Sequence, residues 1–318
     1  MEKIDLHMHS LYSDGVYDVS TLLKMAEERG LSIISITDHD NCKAHIKLMD
    51  ENVRNNFSGD IKTGIEITTS FHGQKIELLA YDFDNVETVN EFFVNKRKSV
   101  NWNKVAIESA THTLKIFDKL NIKYPDKYKE DLTIPKFESK LYDDILLLND
   151  KEELMKILGD SYSLNGKEFF RKCVCIPNNV FSFNFSKYRP SLDEVITFIH
   201  ENGGILFLAH PYVYKMKNTE GFLDNLYDEY KDIDGIECYY YDFTKKQIDY
   251  IKDFAEKRNL MISGGSDFHG NPERKNQMGI CINHDGFIPK ELLDTWKKDK
   301  TKQLIKQGEI WRKKTIKD

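Results

Sequence analysis

The sequence has no apolar run of the roughly 20 residues that a membrane-spanning helix needs. Its first ten residues carry charges at Glu2, Lys3 and Asp5, so they lack the apolar segment of a signal peptide. Cysteine is scarce: five cysteines in 318 residues, an odd number without regular spacing, exclude a disulfide scaffold and indicate reduced thiols. Internal repeats and low-complexity tracts are missing too. We therefore expect a soluble globular protein of the cytoplasm.

An excess of positive charge is also missing. The chain has 46 lysines and arginines against 52 aspartates and glutamates, a net charge of −6, which argues against a generally basic nucleic-acid coat protein. The charge is uneven, because residues 96–190 carry +5, residues 297–318 carry +6 and the remainder carries −17. Such an acidic remainder repels a phosphate ester unless bound divalent metals intervene, and the basic middle segment can help to capture an anion.

Short strands alternate with helices along most of the chain, which predicts an α/β fold with a parallel sheet and crossover helices. Two capping patterns, at Ser191 and Thr244, predict the first residues of two of these helices, and residues 42–52 are expected to form another. Apolar, β-branched segments predict strands over 3–6, 31–36, 61–69, 76–81, 205–209, 235–239 and 261–263.

A Lys-rich and aromatic stretch interrupts this order, and helices are predicted within it over 98–120 and 151–158. We interpret the stretch as an inserted subdomain. The domains expected from the sequence are a discontinuous domain of residues 1–95 and 190–288, a mostly helical insertion over 96–189 that acts as a substrate lid, and a C-terminal helix with a basic tail over 289–318.

Histidines and acidic residues follow the predicted strands. His7 and His9 alternate along the first strand, so both imidazoles point the same way, about 6–7 Å apart at the backbone, which suits two ligands of one metal. Carboxylates can bridge two metals, and neutral imidazoles bind zinc, manganese or iron. Because the carboxyl ends of barrel strands meet at one rim, the sequence predicts a cation cluster there. The other residues of this kind are Asp14, His39, Glu66, His210, Asp267 and His269.

These residues stand in short motifs whose order is specific. The motifs are His7-Met8-His9-Ser10, Ser13-Asp14-Gly15, Thr37-Asp38-His39-Asp40, Gly64-Ile65-Glu66, Leu208-Ala209-His210-Pro211 and Ser266-Asp267-Phe268-His269. Together they resemble the PHP family, named for polymerase and histidinol phosphatase. The Thr-Asp-His-Asp form and the long insertion are similar to the nucleotide phosphatase and exonuclease branch of that family. The resemblance covers residues 1–85 and 190–275.

The resemblance implies a distorted (β/α)7 barrel that holds two or three divalent metal ions, which are manganese, zinc or iron. One position departs from the family pattern, because Glu77 stands where related sequences have a histidine. A carboxylate there favours a harder ion and adds negative charge. Carried over by position, the resemblance implies a first metal bound by His7, His9, Glu66 and Asp267, a second that shares Glu66 and adds His210, and a third bound by Asp14, His39 and His269.

The function predicted first is hydrolysis of a phosphomonoester on a nucleotide or a similar small phosphorylated molecule. Bound cations lower the pKa of water, so that a metal-bound hydroxide is available near neutral pH to attack phosphorus in line. The leaving oxygen needs a proton donor, and the sequence does not choose between Asp40 and a metal-site histidine, His210 or His269.

Cationic side chains are candidates for binding the substrate phosphate, since the fork of an arginine grips two phosphate oxygens. The candidates are Arg189 before the second half of the discontinuous domain, Arg171 and Lys172 in the insertion, and Arg274 beyond His269. Aromatic residues of the insertion, such as Phe169 and Phe183, are interpreted first as core residues and second as a stacking surface for a base.

Three alternatives stay open on the sequence. A 5′–3′ exonuclease that removes nucleotides from short RNA or DNA needs the same metals. A non-catalytic module that binds a phosphorylated ligand is motivated by the unusual Glu77. A metal amidohydrolase on the same barrel plan is the third alternative.

Overall fold

The computed structural model describes residues 2–214, 216–274, 276–281 and 286–299, so residues 300–318 of the C-terminal helix and basic tail expected over 289–318 lie outside the described residues. The chain divides into two compact units. The first unit comprises Met1–Thr69, Ile76–Arg97 and Ser191–Asp318, and the second comprises Ser70–Lys75 and Lys98–Pro190. Among the helices of the described ranges, we find none with both the length and the apolar content that crossing a membrane requires.

Strands and helices alternate as the α/β prediction requires. The strands are β1 (Lys3–Asp5), β2 (Leu31–Ile34), β3 (Asp60–Ile61), β4 (Gly64–Phe71), β5 (Gln74–Tyr81), β6 (Ile205–Leu208), β7 (Gly235–Tyr240), β8 (Met261–Gly265) and β9 (Ile288–Pro289). The helices are α1 (Val19–Glu28), α2 (Lys43–Lys47), α3 (Glu51–Arg54), α4 (Val86–Ser99), α5 (Trp102–Lys119), α6 (Lys127–Glu130), α7 (Phe137–Leu148), α8 (Lys151–Leu158), α9 (Gly166–Phe169), α10 (Leu192–Glu201), α11 (Thr219–Glu229) and α12 (Lys245–Arg258). Short 3₁₀ segments lie at Gly159–Ser163, Ser186–Tyr188, Pro211–Tyr214 and Lys290–Asp299, and a π-helical turn at Phe170–Val174.

The strands form two sheets, with the orders β3-β2-β1-β9 and β4-β5-β6-β7-β8. β1, β2 and β3 are parallel, as are β6, β7 and β8, whereas β5 pairs antiparallel with β6. Backbone hydrogen bonds also link the two sheets. Leu6 N, just after β1, donates to Gly264 O of β8 at 3.1 Å, and Asp40 N, after β2, donates to Glu66 O of β4 at 2.8 Å. The α/β class is therefore confirmed, while complete closure into a (β/α)7 barrel stays a prediction.

Helix α1 shows how the first unit packs. Its residues Leu22, Leu23 and Ala26 are fully buried and belong to one cluster with Ile34 of β2. These three residues recur at helical spacing, so a single face of α1 is apolar and covers the sheet. Asp18 begins the helix, because its side chain accepts a hydrogen bond from Thr21 N at 2.7 Å.

The second unit has its own core, built from α5, α7, α8 and α9. Phe117, Tyr142, Phe169 and Phe181 lie at its centre, with at most 2% of each side chain exposed. The rings of Tyr142 and Phe169 stack 4.1 Å apart, and Phe181 meets Phe169 edge-on at 5.0 Å. These contacts are geometries that aromatic pairs prefer. The rings at the centre of this unit are therefore core residues.

Side-chain caps shorten two of the predicted helices. Residues 42–52 form α2 and α3 instead of one helix, because Asp50 accepts a hydrogen bond from Asn52 N at 3.1 Å and begins a new turn. The helix predicted over 98–120 begins at Trp102, where Asn101 accepts from Lys104 N at 3.0 Å. Asp and Asn side chains compete in this way with continued helix. The predicted helices at 151–158 and after Thr244 are confirmed as α8 and α12.

Candidate metal centre

The strand ends of the first unit carry the predicted site residues. His7 and His9 follow β1, His39 follows β2, and His210 follows β6. Asp40, His210 and Asp267 have φ angles of 52°, 25° and 51°, values that non-glycine residues seldom adopt. Three such residues, in the segments that follow β2, β6 and β8, mark backbone strain concentrated where the side chains converge.

Glu66, which is 1% exposed, lies at the centre of this convergence. Its Oε2 atom is 3.5 Å from His7 Nε2, 3.3 Å from His9 Nε2 and 3.0 Å from His39 Nδ1. Its Oε1 atom is 2.9 Å from His210 Nε2. One carboxylate from β4 thus contacts imidazoles that come from three other strand ends.

Asp267, which follows β8, faces two of these imidazoles, those of His7 and His9, and also the ring of His269. Its Oδ1 atom is 3.1 Å from His9 Nε2, 3.5 Å from His7 Nε2 and 3.4 Å from His269 Nδ1. The hydroxyl of Tyr240 donates to Oδ2 at 2.8 Å and orients the carboxylate. His7 and His9 therefore lie between the carboxylates of two strands.

Asp14 closes the cluster on its exposed side, with half of its side chain accessible. Its Oδ1 atom is 3.0 Å from His269 Nε2, 3.6 Å from His39 Nε2 and 3.7 Å from His9 Nδ1. Glu77 of β5 approaches from another direction: its Oε2 is 3.6 Å from His210 Nε2 and its Oε1 is 4.0 Å from His39 Nδ1.

The donor atoms fit divalent cations. Among the described residues, His7 Nε2, His9 Nε2 and Glu66 Oε2 are buried and make no hydrogen bond. Buried polar atoms are normally paired, so three unpaired ones aimed at each other call for a ligand, and imidazole nitrogens with carboxylate oxygens are the donors that zinc, iron and manganese take. Donor atoms lie within 4.8 Å of one another in three overlapping groups, His7/His9/Glu66, His9/Asp14/His39/His269 and His39/Glu66/Glu77.

The electrostatics of the cluster agree with a requirement for positive charge. Burial raises the pKa of Glu66, but the charges of His39 and His7 outweigh it and hold the pKa well below 4.5. Burial likewise lowers the pKa of His39, yet Glu66 and Glu77 raise it to about 10. Asp14 follows the same pattern: despite burial, hydrogen bonding to His269 lowers its pKa to about 2. Positive charge on His39 and His7 therefore offsets the charge of Glu66, which is the role that bound cations would take.

Glu237 is a site residue that the sequence analysis missed. It is fully buried on β7; its Oε1 accepts from His7 Nδ1 at 2.9 Å, and its Oε2 accepts from His210 N at 2.8 Å. A carboxylate at Nδ1 keeps the ring proton there and leaves Nε2 free as a ligand atom. The available signal was one charged residue inside the otherwise apolar strand Gly235–Tyr240.

Asp38 supports the loop that carries Asp14. It accepts hydrogen bonds from Ser10 N at 2.8 Å, from Ser10 Oγ at 2.6 Å and from Ser13 Oγ at 2.5 Å. The serines of the first two motifs therefore act through Asp38, and the position of Asp14 depends on a residue next to His39.

The predicted proton donor and cationic residues fall in different places. Asp40 lies beside His39, accepts from Thr68 N at 2.8 Å, and has a pKa that burial raises. Arg274 lies at the cluster, with Nη1 3.7 Å from Asp267 Oδ2. The remaining predicted cations, Arg171, Lys172 and Arg189, belong to the second unit, where Lys172 pairs with Glu168 at 2.8 Å and Arg189 lies 6.0 Å over the ring of Phe185.

Comparisons with known proteins agree with this geometry. A family model described as PHP domain matches residues 5–262. A 5′-3′ exoribonuclease of Haemophilus influenzae is 27% identical over 84% of this chain and 90% of its own length. A phosphoribosyl 1,2-cyclic phosphate 1,2-diphosphodiesterase of Eggerthella lenta is 25% identical over 87% and 98% of the two chains. A solved structure from Bifidobacterium adolescentis, assigned as a metal-dependent phosphoesterase, has a TM-score of 0.56 at 20% identity over 92% of this chain and 94% of its own.

Proposed function

The chain belongs to the PHP domain family and is a metal-dependent phosphoesterase, and from that premise we propose that it cleaves phosphodiesters at the 5′ end of short RNA. Both related proteins reported above are named for phosphodiester hydrolysis, one on RNA and one on a cyclic phosphate. The prediction of an enzyme is confirmed by the family, so the non-catalytic alternative is dropped. The phosphomonoester preference and the exonuclease alternative become two outcomes of one experiment.

The observation that carries the proposal is the convergence of four histidines on the buried carboxylate of Glu66. When bound, two or three divalent cations supply Lewis-acid chemistry, lowering the pKa of a water molecule and neutralising phosphate oxygens. In our proposal the residues that hold the cations are His7, His9, Asp14, His39, Glu66, Glu77, His210, Asp267 and His269.

We assign the proton for the leaving oxygen to Asp40. His210 and His269 are the other candidates, but the Nε2 atom of each already contacts a carboxylate, that of Glu66 at 2.9 Å and that of Asp14 at 3.0 Å. Asp40 is outside the three donor groups, and its carboxyl is held by Thr68 N. A carboxyl whose pKa is raised by burial retains a proton to higher pH and can donate it.

The phosphate of the substrate needs a cation that the donor groups do not use. In this proposal Arg274 binds it, because the guanidinium is beside Asp267 and 39% of the side chain is exposed. Arg171, Lys172 and Arg189 are proposed to capture the rest of the substrate as part of a lid formed by residues 96–189. The net charge of +5 over residues 96–190 supports that role.

Hydrolysis of a terminal phosphomonoester on a nucleotide is the second candidate function. The observation that favours it is the charge of −17 on the chain outside residues 96–190 and 297–318. An acidic surrounding repels a polyanion more strongly than it repels a mononucleotide.

Two further features belong to the proposal. The two sheets of the first unit are proposed to complete the distorted (β/α)7 barrel of the family. The enzyme is proposed to act in the cytoplasm, since all five cysteines are free thiols, as in reducing compartments.

The test uses the full-length protein loaded with manganese. It is incubated with a 5′-phosphorylated RNA pentamer, a nucleoside bisphosphate and p-nitrophenyl phosphate, and the products are separated by chromatography. The proposal requires mononucleotides released from the 5′ end, and no release by a His39→Ala variant. Release of inorganic phosphate from the bisphosphate without cleavage of RNA would favour the second candidate, and no turnover of any ester would overturn both.

A further inference from the structure

The donor groups of the metal centre differ in chemistry. We define the imidazole-rich pocket as His9, Asp14, His39 and His269, which offers three imidazoles and one carboxylate. We define the carboxylate pocket as Glu66, Glu77, His39 and His210. Its members His39, Glu66 and Glu77 form one donor group, and His210 Nε2 is 2.9 Å from Glu66 and 3.6 Å from Glu77.

The carboxylate pocket presents oxygen from two sides. Glu66 Oε1 and Glu77 Oε2 both face His210 Nε2, while Glu66 Oε2 and Glu77 Oε1 both face His39 Nδ1. Each of these two imidazole nitrogens therefore has one oxygen of Glu66 and one oxygen of Glu77 near it. In the donor group of the imidazole-rich pocket, by contrast, Asp14 supplies the one carboxylate oxygen, and this Oδ1 faces His9 Nδ1, His39 Nε2 and His269 Nε2.

The carboxylate pocket has the marks of a binding site and not of a solvated acidic surface. Glu66 is 1% exposed and Glu77 is 8% exposed. Glu66 Oε2 makes no hydrogen bond although it is buried and lies 3.0 Å from His39 Nδ1. Two carboxylates held this close in a buried place need a cation between or beside them.

Ligand chemistry decides which cation suits each pocket. Hard divalent ions, manganese and magnesium, take carboxylate oxygen, whereas imidazole suits zinc and iron. Every such site binds zinc more tightly than manganese in absolute terms, so the informative quantity is the ratio of the two affinities. That ratio falls as oxygen replaces nitrogen among the ligands.

Resting on the proposed function, we infer that the two pockets hold unlike metals: manganese in the carboxylate pocket, selected by Glu77, and zinc or iron in the imidazole-rich pocket. Glu77 is the selecting residue because its replacement by histidine would give the carboxylate pocket a third imidazole. The remaining ligands, Glu66, His39 and His210, would stay the same.

The experiment is a metal competition that does not depend on turnover. Full-length protein is stripped with a chelator, bound manganese is measured by electron paramagnetic resonance, and zinc is then added in steps. The wild-type protein is expected to show two classes of bound manganese. Displacing the class in the carboxylate pocket should need at least about tenfold more zinc than displacing the other class. Tenfold is the lower end of the change in metal affinity that a substitution near a metal ligand produces.

Three variants identify the residue responsible. Glu77→His is expected to lose the zinc-resistant class, because the two pockets become alike. Glu77→Gln should weaken manganese binding without strengthening zinc binding, which separates the carboxylate charge from the gain of an imidazole. Glu256→His, on the exposed face of α12, is the matched control and should leave both classes unchanged. Circular dichroism checks that each variant is folded.

The result that would overturn the inference is a single class of manganese in the wild-type protein, or a zinc-resistant class that survives in Glu77→His. Its failure can be told apart from failure of the proposed function. A protein with two classes of manganese that cleaves no phosphate ester would contradict only the function, and an active phosphodiesterase with one class would contradict only the selection of metals by Glu77.

Discussion

The two units bury carboxylates in opposite surroundings. In the first unit, Glu66 faces four imidazoles, and its pKa is held well below 4.5 despite burial. In the second unit, Glu138 of α7 is buried among core residues with the hydroxyl of Ser109 at 2.5 Å, and burial raises its pKa. Burial is similar at the two positions, so the partners decide the charge. In the first unit the imidazoles favour the ionised form of the buried carboxylate, whereas in the second unit burial favours the neutral form.

The contrast between the buried carboxylates of the two units is tested most severely at Glu66, where we expect the largest loss of activity. In Glu66→Gln the amide cannot carry the negative charge that faces His7, His9, His39 and His210. Removing one group that stabilises charge in a transition state typically costs about 10²–10³-fold in rate. The cations that Glu66 is proposed to hold would supply such stabilisation. We expect a loss of RNA hydrolysis of at least that size, together with a lower content of bound metal measured by elemental analysis.

Glu256→Gln on the exposed face of α12 is the control for Glu66→Gln, and it should retain both activity and metal. Full metal content in Glu66→Gln would show that the imidazoles hold the cations without the central carboxylate. The negative charge of Glu66 would then not be needed for metal binding, and the contrast with the buried carboxyl of Glu138 would lose its functional meaning.

The sequence was most informative where chemistry follows a strand directly. His7, His9, His210 and Asp267 could be placed because short apolar strands end beside them, and the α/β order brings such ends to one edge. Asp14 was also named from the sequence, although its contact with His269 depends on a turn. The local sequence pattern could not predict which residues distant in the chain contact each other, because those contacts depend on how separate strands are aligned.

Glu237 illustrates that limit. It contacts His7 across 230 residues of chain, and the single charged residue in its apolar strand does not say which partner it meets. The broken helices are a different case, because apolar spacing predicted one helix over 42–52 and another from 98. The capping side chains of Asp50 and Asn101 override that spacing, and their effect depends on backbone geometry that the spacing does not encode.

Glu237→Gln tests a second buried carboxylate of the first unit, and we expect an effect on metal binding smaller than that of Glu66→Gln. The amide oxygen can still accept from His7 Nδ1, but the amide nitrogen then faces the backbone N–H of His210, which also donates. Changing a residue that orients metal ligands typically weakens metal binding by about 10–100-fold. We expect that loss in a manganese titration, with a smaller change in rate once the variant is saturated with metal.

A merely structural role for Glu237 predicts something else. In that case the thermal midpoint of the metal-free protein would fall while the manganese affinity of the folded fraction stayed at the wild-type value. That result would remove Glu237 from the metal centre and leave it as a buried polar residue of the same kind as Glu138.

Glu138→Gln is expected to give the smallest effect. It should raise the free energy of unfolding, whereas the variants of the first unit should lose activity or metal binding. Because the pKa of Glu138 is raised above 4.5 in the folded protein, the stability that its protonated form contributes is present below pH 4.5 and is lost as the pH rises through the folded pKa. The amide keeps an acceptor for Ser109 Oγ and has no charge to desolvate. We therefore expect a gain at neutral pH of about 0.5–1.5 kcal/mol, the usual net scale of a buried hydrogen-bonded group.

Denaturant unfolding at pH 4.5 and at pH 7.5 measures the gain from Glu138→Gln, with the exposed Glu130→Gln of α6 as the matched control. The variant should be more stable than the wild-type protein at the higher pH and nearly equal to it at the lower, while Glu130→Gln should follow the wild-type protein at both. If Glu138→Gln were less stable at pH 7.5, the ionised carboxylate of Glu138 would be a stabilising group. The second unit would then bury charge as favourably as the first, and the contrast between Glu66 and Glu138 would not hold.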